Sequence, residues 1–254
     1  MRLVLLGDPV GHSRSPAIQR AALDFAGIEG TYEARRVDAA GMANAVDEIR
    51  YGSLDGANVT MPHKHLAFEL ADRVAEVALR SGAVNTFARI AGEVWGHNTD
   101  VDGIRAVWET AGFPDTAPLL IMGSGGAAAG AVVALAHVTV AVSGRRPGAA
   151  ADLLARTRVD GIVVPWGTAV DGAVVVNATP LGMNGESLPE EVLAGASGFI
   201  DLTYGSEETP SVSRCRARGI PVADGRDMLL AQAAVSFEIW TGVKAPIDVM
   251  RSAF

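Results

Sequence analysis

Leu119-Leu120-Ile121-Met122-Gly123-Ser124-Gly125-Gly126-Ala127-Ala128 is the stretch whose reading decides the fold. Four apolar residues without alternation read as a strand covered on both faces, as in a parallel sheet. The glycines behind them permit a tight turn, and the alanines open a helix. Residues 117–144 carry no charge with His137 neutral, a run long enough to cross a bilayer. The glycine turn divides that run, and its ends are β-rich while its middle is alanine-rich. Strand, turn, helix and second strand account for it better than a membrane span. Backbone that turns on glycine can approach a pyrophosphate, and the N-terminus of the following helix offers N–H donors and positive potential. The third glycine of the G-x-G-x-x-G pattern is Ala128 here, small enough for close helix–strand packing. Cofactor binding is expected at Gly123, Ser124, Gly125, Gly126 and Ala127. A plain glycine turn in a cofactor-free fold of the same kind is the alternative.

Cofactor choice is read about twenty residues further on, at the end of the second strand. An acidic residue there would accept the ribose 2′-hydroxyl of NAD. This chain has Ser143-Gly144-Arg145-Arg146. Two guanidiniums suit a 2′-phosphate by charge and by fork geometry, so NADP is expected, and Arg145 is also placed to stack on the adenine. Two solvated loop arginines are the alternative.

Further apolar runs at 138–142, 162–164, 173–177 and 199–202, separated by helical segments, extend the pattern to an open, doubly wound sheet. The first hundred residues alternate as well. Strand-like segments lie at 2–6, 31–37 and 56–60, and a hairpin at 83–90 and 93–97 turns on Ala91-Gly92. Helices are expected from Ser15, as N-cap, with Pro16 at the first helical position and Gly27 as terminator, at 39–49 and from about Pro62. The chain ends in helices at 227–241 and after Pro246. The fold class is α/β, with residues 1–102 as one domain, 103–232 as a doubly wound Rossmann domain, and 233–254 packing back on the first.

The 254 residues, 49% hydrophobic and 20% charged, support a packed core and argue against disorder. Aromatics are only 6%, so that core is aliphatic. A net charge of −8 argues against a nucleic-acid partner. The single cysteine, Cys215, excludes an internal disulfide and a multi-cysteine metal site. Arg214, Arg216 and Arg218 are positioned to lower its pKa, against a plainer reading as a partly buried helical thiol. No secretory signal is read at the start, and a soluble, cytoplasmic protein without membrane contact is expected.

A polar cluster interrupts the apolar first half: Asn58-Val59-Thr60-Met61-Pro62-His63-Lys64, then Asn85, then Asn98-Thr99-Asp100. Asn58 and Thr60, two apart on a strand, share a face. Lys64 falls in the first turn of the next helix, and Asp100 follows another strand end. A lysine beside an aspartate can hold or relay the proton a carbonyl oxygen gains when hydride reaches its carbon. Taken singly, the two read as a surface lysine and a helix N-cap; taken with Asn58, Thr60, Asn85 and Asn98 they read as a site. Ser13 and Ser15, two hydroxyls at a helix N-terminus, can hold a carboxylate. His12, His63 and His65 read as loop and surface residues, with no carboxylate or cysteine to complete a metal set, and no metal is expected.

Ser13-Arg14-Ser15-Pro16, the segment 58–64, Asn85-Thr86, Asn98-Thr99-Asp100, the Gly123–Gly126 loop, Asn177-Ala178-Thr179-Pro180-Leu181-Gly182-Met183, Asp201-Leu202-Thr203-Tyr204 and the segment 225–232 occur in the order found in shikimate dehydrogenases. The chain resembles that family over nearly its whole length. The resemblance implies an N-terminal substrate domain, a C-terminal Rossmann domain with a cleft between them, and NADP-dependent interconversion of 3-dehydroshikimate and shikimate on the route to chorismate and the aromatic amino acids. It implies that Ser13 and Ser15 bind the substrate carboxylate. Asn58, Thr60, Asn85 and Gln232 bind hydroxyls or shape the site, and Tyr204 lies near the carboxylate. Lys64 and Asp100 become the catalytic pair, with Lys64 the proton donor. Thr179, Gly225 and Met228 join the cofactor residues. The pattern departs at Gly144-Arg145-Arg146, where the family has Asn-Arg-Thr, and after Tyr204, where it has a proline two residues on. Quinate or aminoshikimate as substrate, and a catalytically silent NADPH-binding module, are the alternatives. A monomer or homodimer is expected.

Overall fold

The computed structural model describes residues 1–203 and 207–254. The chain divides into two compact units, residues 1–99 with 230–254, and residues 100–229.

The first unit contains β1 (Arg2–Gly7), α1 (Ser15–Phe25), β2 (Thr31–Arg36), α2 (Ala39–Arg50), β3 (Gly56–Val59), α3 (Lys64–Leu70), β4 (Arg73–Val74), α4 (Glu76–Ser81), β5 (Thr86–Ile90) and β6 (Glu93–His97). Its sheet runs in the order β2-β1-β3-β5-β6-β4. β1 is parallel to β2 and β3, and β5 is antiparallel to β3 and β6. The β5–β6 hairpin turns on Ala91 and Gly92, both at positive φ (51° and 86°), as a two-residue primed turn requires. β4 and α4 are additions to the sequence reading, since two and six residues are too few to leave a periodic signal. On one side of the sheet Leu6, Met42, Ile49, Phe87 and Val94 pack into a core with no solvent exposure.

α5 (Thr99–Thr110) carries the chain into the second unit, which continues through β7 (Leu119–Met122), α6 (Gly126–Ala134), β8 (Val140–Ser143), α7 (Ala149–Thr157), β9 (Gly161–Val163), β10 (Val174–Asn177), α8 (Glu190–Ala194), β11 (Gly198–Asp201), α9 (Pro210–Ala217) and β12 (Val222–Ala223). α10 (Gly225–Thr241) returns the chain to the first unit, where α11 (Ile247–Ser252) closes it. The second sheet is wholly parallel, in the order β12-β11-β10-β7-β8-β9. Numbered within the unit, that is the 3-2-1-4-5-6 order of a Rossmann sheet, with its reversal between β7 and β10. Every residue of β7, β8, β10 and β11 is buried, as their unbroken apolar runs require. β9 departs from that expectation. It lies at the sheet edge with Ile162 and Val163 more than half exposed, because only one strand covers it. The uncharged run 117–144 resolves into β7, the glycine turn, α6 and β8. Among the described residues no helix is long and apolar enough to cross a membrane.

Candidate active site

The first unit carries the densest polar network. Asn58, on β3, is 5% exposed yet fully engaged. Its Nδ2 donates to the Asn85 carbonyl (3.2 Å), to Thr86 Oγ1 (2.9 Å) and to Ser236 Oγ on α10 (3.0 Å). A carbonyl can only accept, so this contact fixes the amide orientation and leaves Oδ1 to accept from the Tyr32 hydroxyl at 2.6 Å. Asn85 is fixed by the same logic. Its Oδ1 accepts from the Thr99 backbone N–H at 2.8 Å, and from the Thr86 hydroxyl at 3.0 Å. The donor end, Nδ2, lies 3.0 Å from Thr99 Oγ1. Thr99 also reaches Gln232 Oε1 (3.4 Å) and Ser236 Oγ (3.1 Å). Asn58, Asn85 and Gln232 are thus brought together, on a floor of hydroxyls from three separate parts of the chain. Trp240, one turn beyond Ser236, fastens α10 by donating from Nε1 to the Phe87 carbonyl at 2.8 Å.

Lys64 is the first residue of α3, half-buried, and its carbonyl accepts from Val84 N–H at 2.9 Å. That bond ties the lysine to the segment carrying Asn85. Thr60 falls one residue past the end of β3. Its N–H donates to the Leu6 carbonyl at 2.8 Å and its carbonyl accepts from His63 N–H at 3.0 Å, which holds the turn into α3. His63 corrects the surface reading: it is the buried N-cap residue of α3, with Nε2 2.8 Å from the Val37 carbonyl. Ser15 corrects another. Arg14 is the N-cap of α1, without a side-chain cap bond, and Ser15 is the first helical residue. Ser13 takes the capping part instead, accepting from Ser15 N–H and donating to Ser15 Oγ, each at 3.2 Å. The two hydroxyls therefore form one pair at the open end of α1. A groove of about 440 Å³ beside this loop, lined by residues from Asp8 to His12 with Ala34 and Arg36, holds none of the expected site residues.

In the second unit the glycine turn lies at the sheet's reversal. Gly123 has φ +129°, and a Cβ there would lie 2.6 Å from the Ala178 carbonyl oxygen, so only glycine fits between β7 and the loop after β10. Gly125 is the N-cap of α6 with extended backbone, no side-chain cap bond, and nothing within 4 Å of a would-be Cβ. The N-terminus of α6 is therefore uncovered at its cap residue, which fits a pyrophosphate. Ser124 and Gly126 flank that position, and Ala127 follows in the helix. Arg145 and Arg146 are exposed just past β8, and the Arg145 guanidinium carbon lies 5.7 Å from the Trp166 ring centroid. Thr179 is buried, its hydroxyl donating to Asn177 Oδ1 at 2.7 Å. Gly225 and Met228 are buried at the start of α10. Asp100, 8% exposed in the first turn of α5, sits where Gly130 of α6 brings that helix close, 3.6 Å from a would-be Cβ to the Asp100 Cβ. Tyr204 lies outside the described residues.

Asp201 closes the end of β11. Burial pushes its carboxyl above the usual carboxylate range, opposed by hydrogen bonds from Thr209, Thr203 and Asn177. Asn177 Nδ2 donates to Asp201 Oδ1 at 2.9 Å, so the bond ties the ends of β10 and β11. Cys215 is fully buried in α9, and burial raises its thiol to about 11. Burial outweighs the lowering that Arg218 contributes, and Asp201 and Glu190 add to the rise. A reactive thiol is excluded.

Tyr32, Ser236 and Trp166 carry no signal in the sequence that points to these arrangements. Their partners lie far off in sequence, 178 residues in the case of Ser236 and Asn58, and no spacing rule reaches that far.

A unit that presents fixed amides over a hydroxyl floor, and a unit built as a Rossmann sheet with an open glycine turn, define a dinucleotide-dependent α/β enzyme of small polar substrates. The shikimate dehydrogenases (NADP(+)) of Acidiphilium cryptum and Desulforamulus reducens are 38% and 36% identical to the chain, over 96% and 98% of it and 91% and 92% of their own lengths. The chain belongs to the shikimate dehydrogenase family. Residues 5–87 match the model of the shikimate dehydrogenase substrate binding domain, and residues 225–253 that of the shikimate 5′-dehydrogenase C-terminal domain. The crystal structure of the shikimate 5-dehydrogenase of Thermus thermophilus, in complex with NADP(H) and shikimate, is similar at a TM-score of 0.91 and 34% identity, over 100% of this chain and 98% of that one.

Proposed function

We propose that this chain catalyses the reversible NADPH-dependent reduction of 3-dehydroshikimate to shikimate, a step toward chorismate and the aromatic amino acids. The observation that carries the reading is the Val84–Lys64 backbone bond, which ties the start of α3, where Lys64 lies, to the segment carrying the fixed Asn85 amide. An ammonium and an oriented N–H donor are what a ketone oxygen and its neighbouring hydroxyls need.

NADPH supplies the hydride when bound. Lys64 donates a proton to the ketone oxygen as that oxygen gains negative charge, and takes it back in the reverse direction. Asp100 is its partner in holding that proton. Ser13 and Ser15 take the carboxylate through their paired hydroxyls and the open end of α1. Asn85 and Gln232 hold ring hydroxyls. Asn58, already engaged in four protein contacts, shapes the floor, and Thr60 holds the turn that leads to Lys64. Tyr204 completes the carboxylate end. Gly123, Ser124, Gly125, Gly126 and Ala127 take the pyrophosphate, Arg145 and Arg146 the 2′-phosphate, and Thr179, Gly225 and Met228 the nicotinamide half. The enzyme works as a monomer or homodimer in the cytoplasm; among the described residues no helix is long and apolar enough to cross a membrane.

The test is nicotinamide absorbance with purified protein and shikimate, NADP and NAD in parallel, and quinate beside them. Rapid reduction of NADP with shikimate is expected. NADPH binding without oxidation of shikimate would leave the fold assignment standing and remove the activity.

A further inference from the structure

We propose that Trp166 is a specificity-determining positioning residue that holds Arg145 for the 2′-phosphate of NADP. The inference rests on the cofactor reading above and goes one residue deeper. β8 and β9 are parallel, with Val140 opposite Gly161, Ala141 opposite Ile162 and Val142 opposite Val163. Continued three residues past its last pair, that register sets Arg145 opposite Trp166. The continuation is held by Val164 N–H on the Val142 carbonyl (3.0 Å) and by the Ser143 hydroxyl on the Pro165 carbonyl (3.2 Å). Trp166 packs partly buried against the core beneath the sheet, so its ring is anchored. Arg145 is exposed, and its guanidinium lies over that ring. A Cβ at Gly144 would lie 3.5 Å from Ser124 Oγ, so the arginine follows directly on the residue that meets the glycine turn.

The choice of partner matters chemically. Arg35, Arg50 and Arg216 are each paired with a carboxylate. A carboxylate partner consumes guanidinium donors and neutralises the charge a phosphate would seek. Among the described residues Arg145 has no such partner. An aromatic face restrains the cation and leaves its N–H donors for an anion. Trp166 therefore lowers the conformational freedom Arg145 gives up on binding, without competing for the ligand. A ribose 2′-hydroxyl gains little from this arrangement, so the effect falls on NADP and not on NAD.

Calorimetric affinities for NADP, NAD and adenosine 2′,5′-bisphosphate test it, in Trp166→Leu and Trp166→Met, which keep apolar packing, and in Trp166→Phe, which keeps a ring. A cation–π contact at an exposed site corresponds to roughly two- to fivefold in affinity. Both apolar variants are expected to weaken NADP and the bisphosphate by that factor and leave NAD unchanged, with Trp166→Phe restoring most of the loss. Equal weakening of NADP and NAD, or unchanged NADP in whichever apolar variant folds, overturns the proposal. Arg145→Ala separates the two levels. If it spares the bisphosphate, the assignment of Arg145 falls and Trp166 with it. If it weakens the bisphosphate while the Trp166 variants do not, Trp166 alone falls.

Discussion

The first unit builds its site from side chains and the second from backbone. In the first, Asn58, Asn85, Thr86, Thr99 and Ser236 hold one another by hydrogen bonds, and specificity lies in which end of each amide is left for a ligand. In the second, Gly123 and Gly125 contribute by lacking side chains, and the groups proposed to bind are the first N–H groups of α6. The side-chain site demands that distant segments converge; the backbone site demands only a local turn. The two should therefore fail differently when mutated.

The largest effect is expected at Lys64. Lys64→Ala removes the proposed proton donor, so kcat should fall by about 10²–10⁴. The KM for shikimate should stay within a few-fold and the melting temperature should hold, because the interaction belongs to the transition state. Steady-state kinetics with a parallel thermal melt decide it, and a joint collapse of binding and folding would sink the catalytic role.

Two glycines split the backbone site into fold and function. Gly123→Ala places a methyl 2.6 Å from the Ala178 carbonyl oxygen at φ +129°, a conformation alanine rarely adopts. A loss of roughly 1–3 kcal/mol in urea stability is expected, with NADP binding lost alongside. Gly125→Ala meets nothing within 4 Å on an extended backbone, so it should melt like the parent protein. It should nonetheless bind NADP more weakly, because its methyl fills the space the pyrophosphate needs. Equal stability loss in both would show that the turn is a packing element alone.

The same contrast explains what the sequence made legible. The glycine turn was readable because strand, turn and helix adjoin within ten residues. The doubly wound sheet was readable from the buried runs that mark β7, β8, β10 and β11, though not the order of its strands. The side-chain floor was readable only in part. Asn58, Asn85 and Lys64 stood out as polar residues in an apolar half. Tyr32 and Ser236 look like ordinary strand and helix residues until α10 returns to the first unit. Position Ser15 misled for a physical reason: serine before proline favours an N-cap, but here Ser13 takes the backbone N–H two residues on and lets the helix begin one residue early. His63 misled because a short helix hid its burial at the N-cap.

Ser236→Ala tests the floor more gently. It deletes one acceptor for Asn58 Nδ2, which keeps Thr86 Oγ1 at 2.9 Å and the Asn85 carbonyl at 3.2 Å. One neutral hydrogen bond is worth about 1 kcal/mol net, and the same hydroxyl also meets Thr86 Oγ1, Thr99 Oγ1 and the Gln232 carbonyl, so a rise of at least about fivefold in the KM for shikimate is expected, with the KM for NADP unchanged. Ser236→Thr, which restores the hydroxyl, should recover it. An equal rise for both ligands would assign Ser236 to general stability.

The smallest effect concerns pH and the strand that ends in the site. His97, last residue of β6, supplies the carbonyl that accepts from Asn85 N–H at 3.0 Å. Its ring packs on Trp95, and Nε2 is buried without a hydrogen-bond partner among the described residues. Burial lowers its pKa below the usual 6.5, so the neutral ring is the form that folds. Well above 6.5 neither the folded nor the unfolded ring is protonated, and the contribution is complete. As pH falls through the window below 6.5 the unfolded chain binds a proton that the folded chain refuses, and stability is lost. Asp201 acts in the opposite sense: its raised pKa makes stability fall as pH rises above the ordinary carboxylate value. Total stability therefore mixes both, and the difference between the parent protein and His97→Gln isolates the histidine. That difference in urea midpoint should be flat well above pH 6.5 and shift toward the variant below it. Parallel curves across the range would mean that the ring protonates in place, and that the end of β6 opens to water more readily than its packing implies.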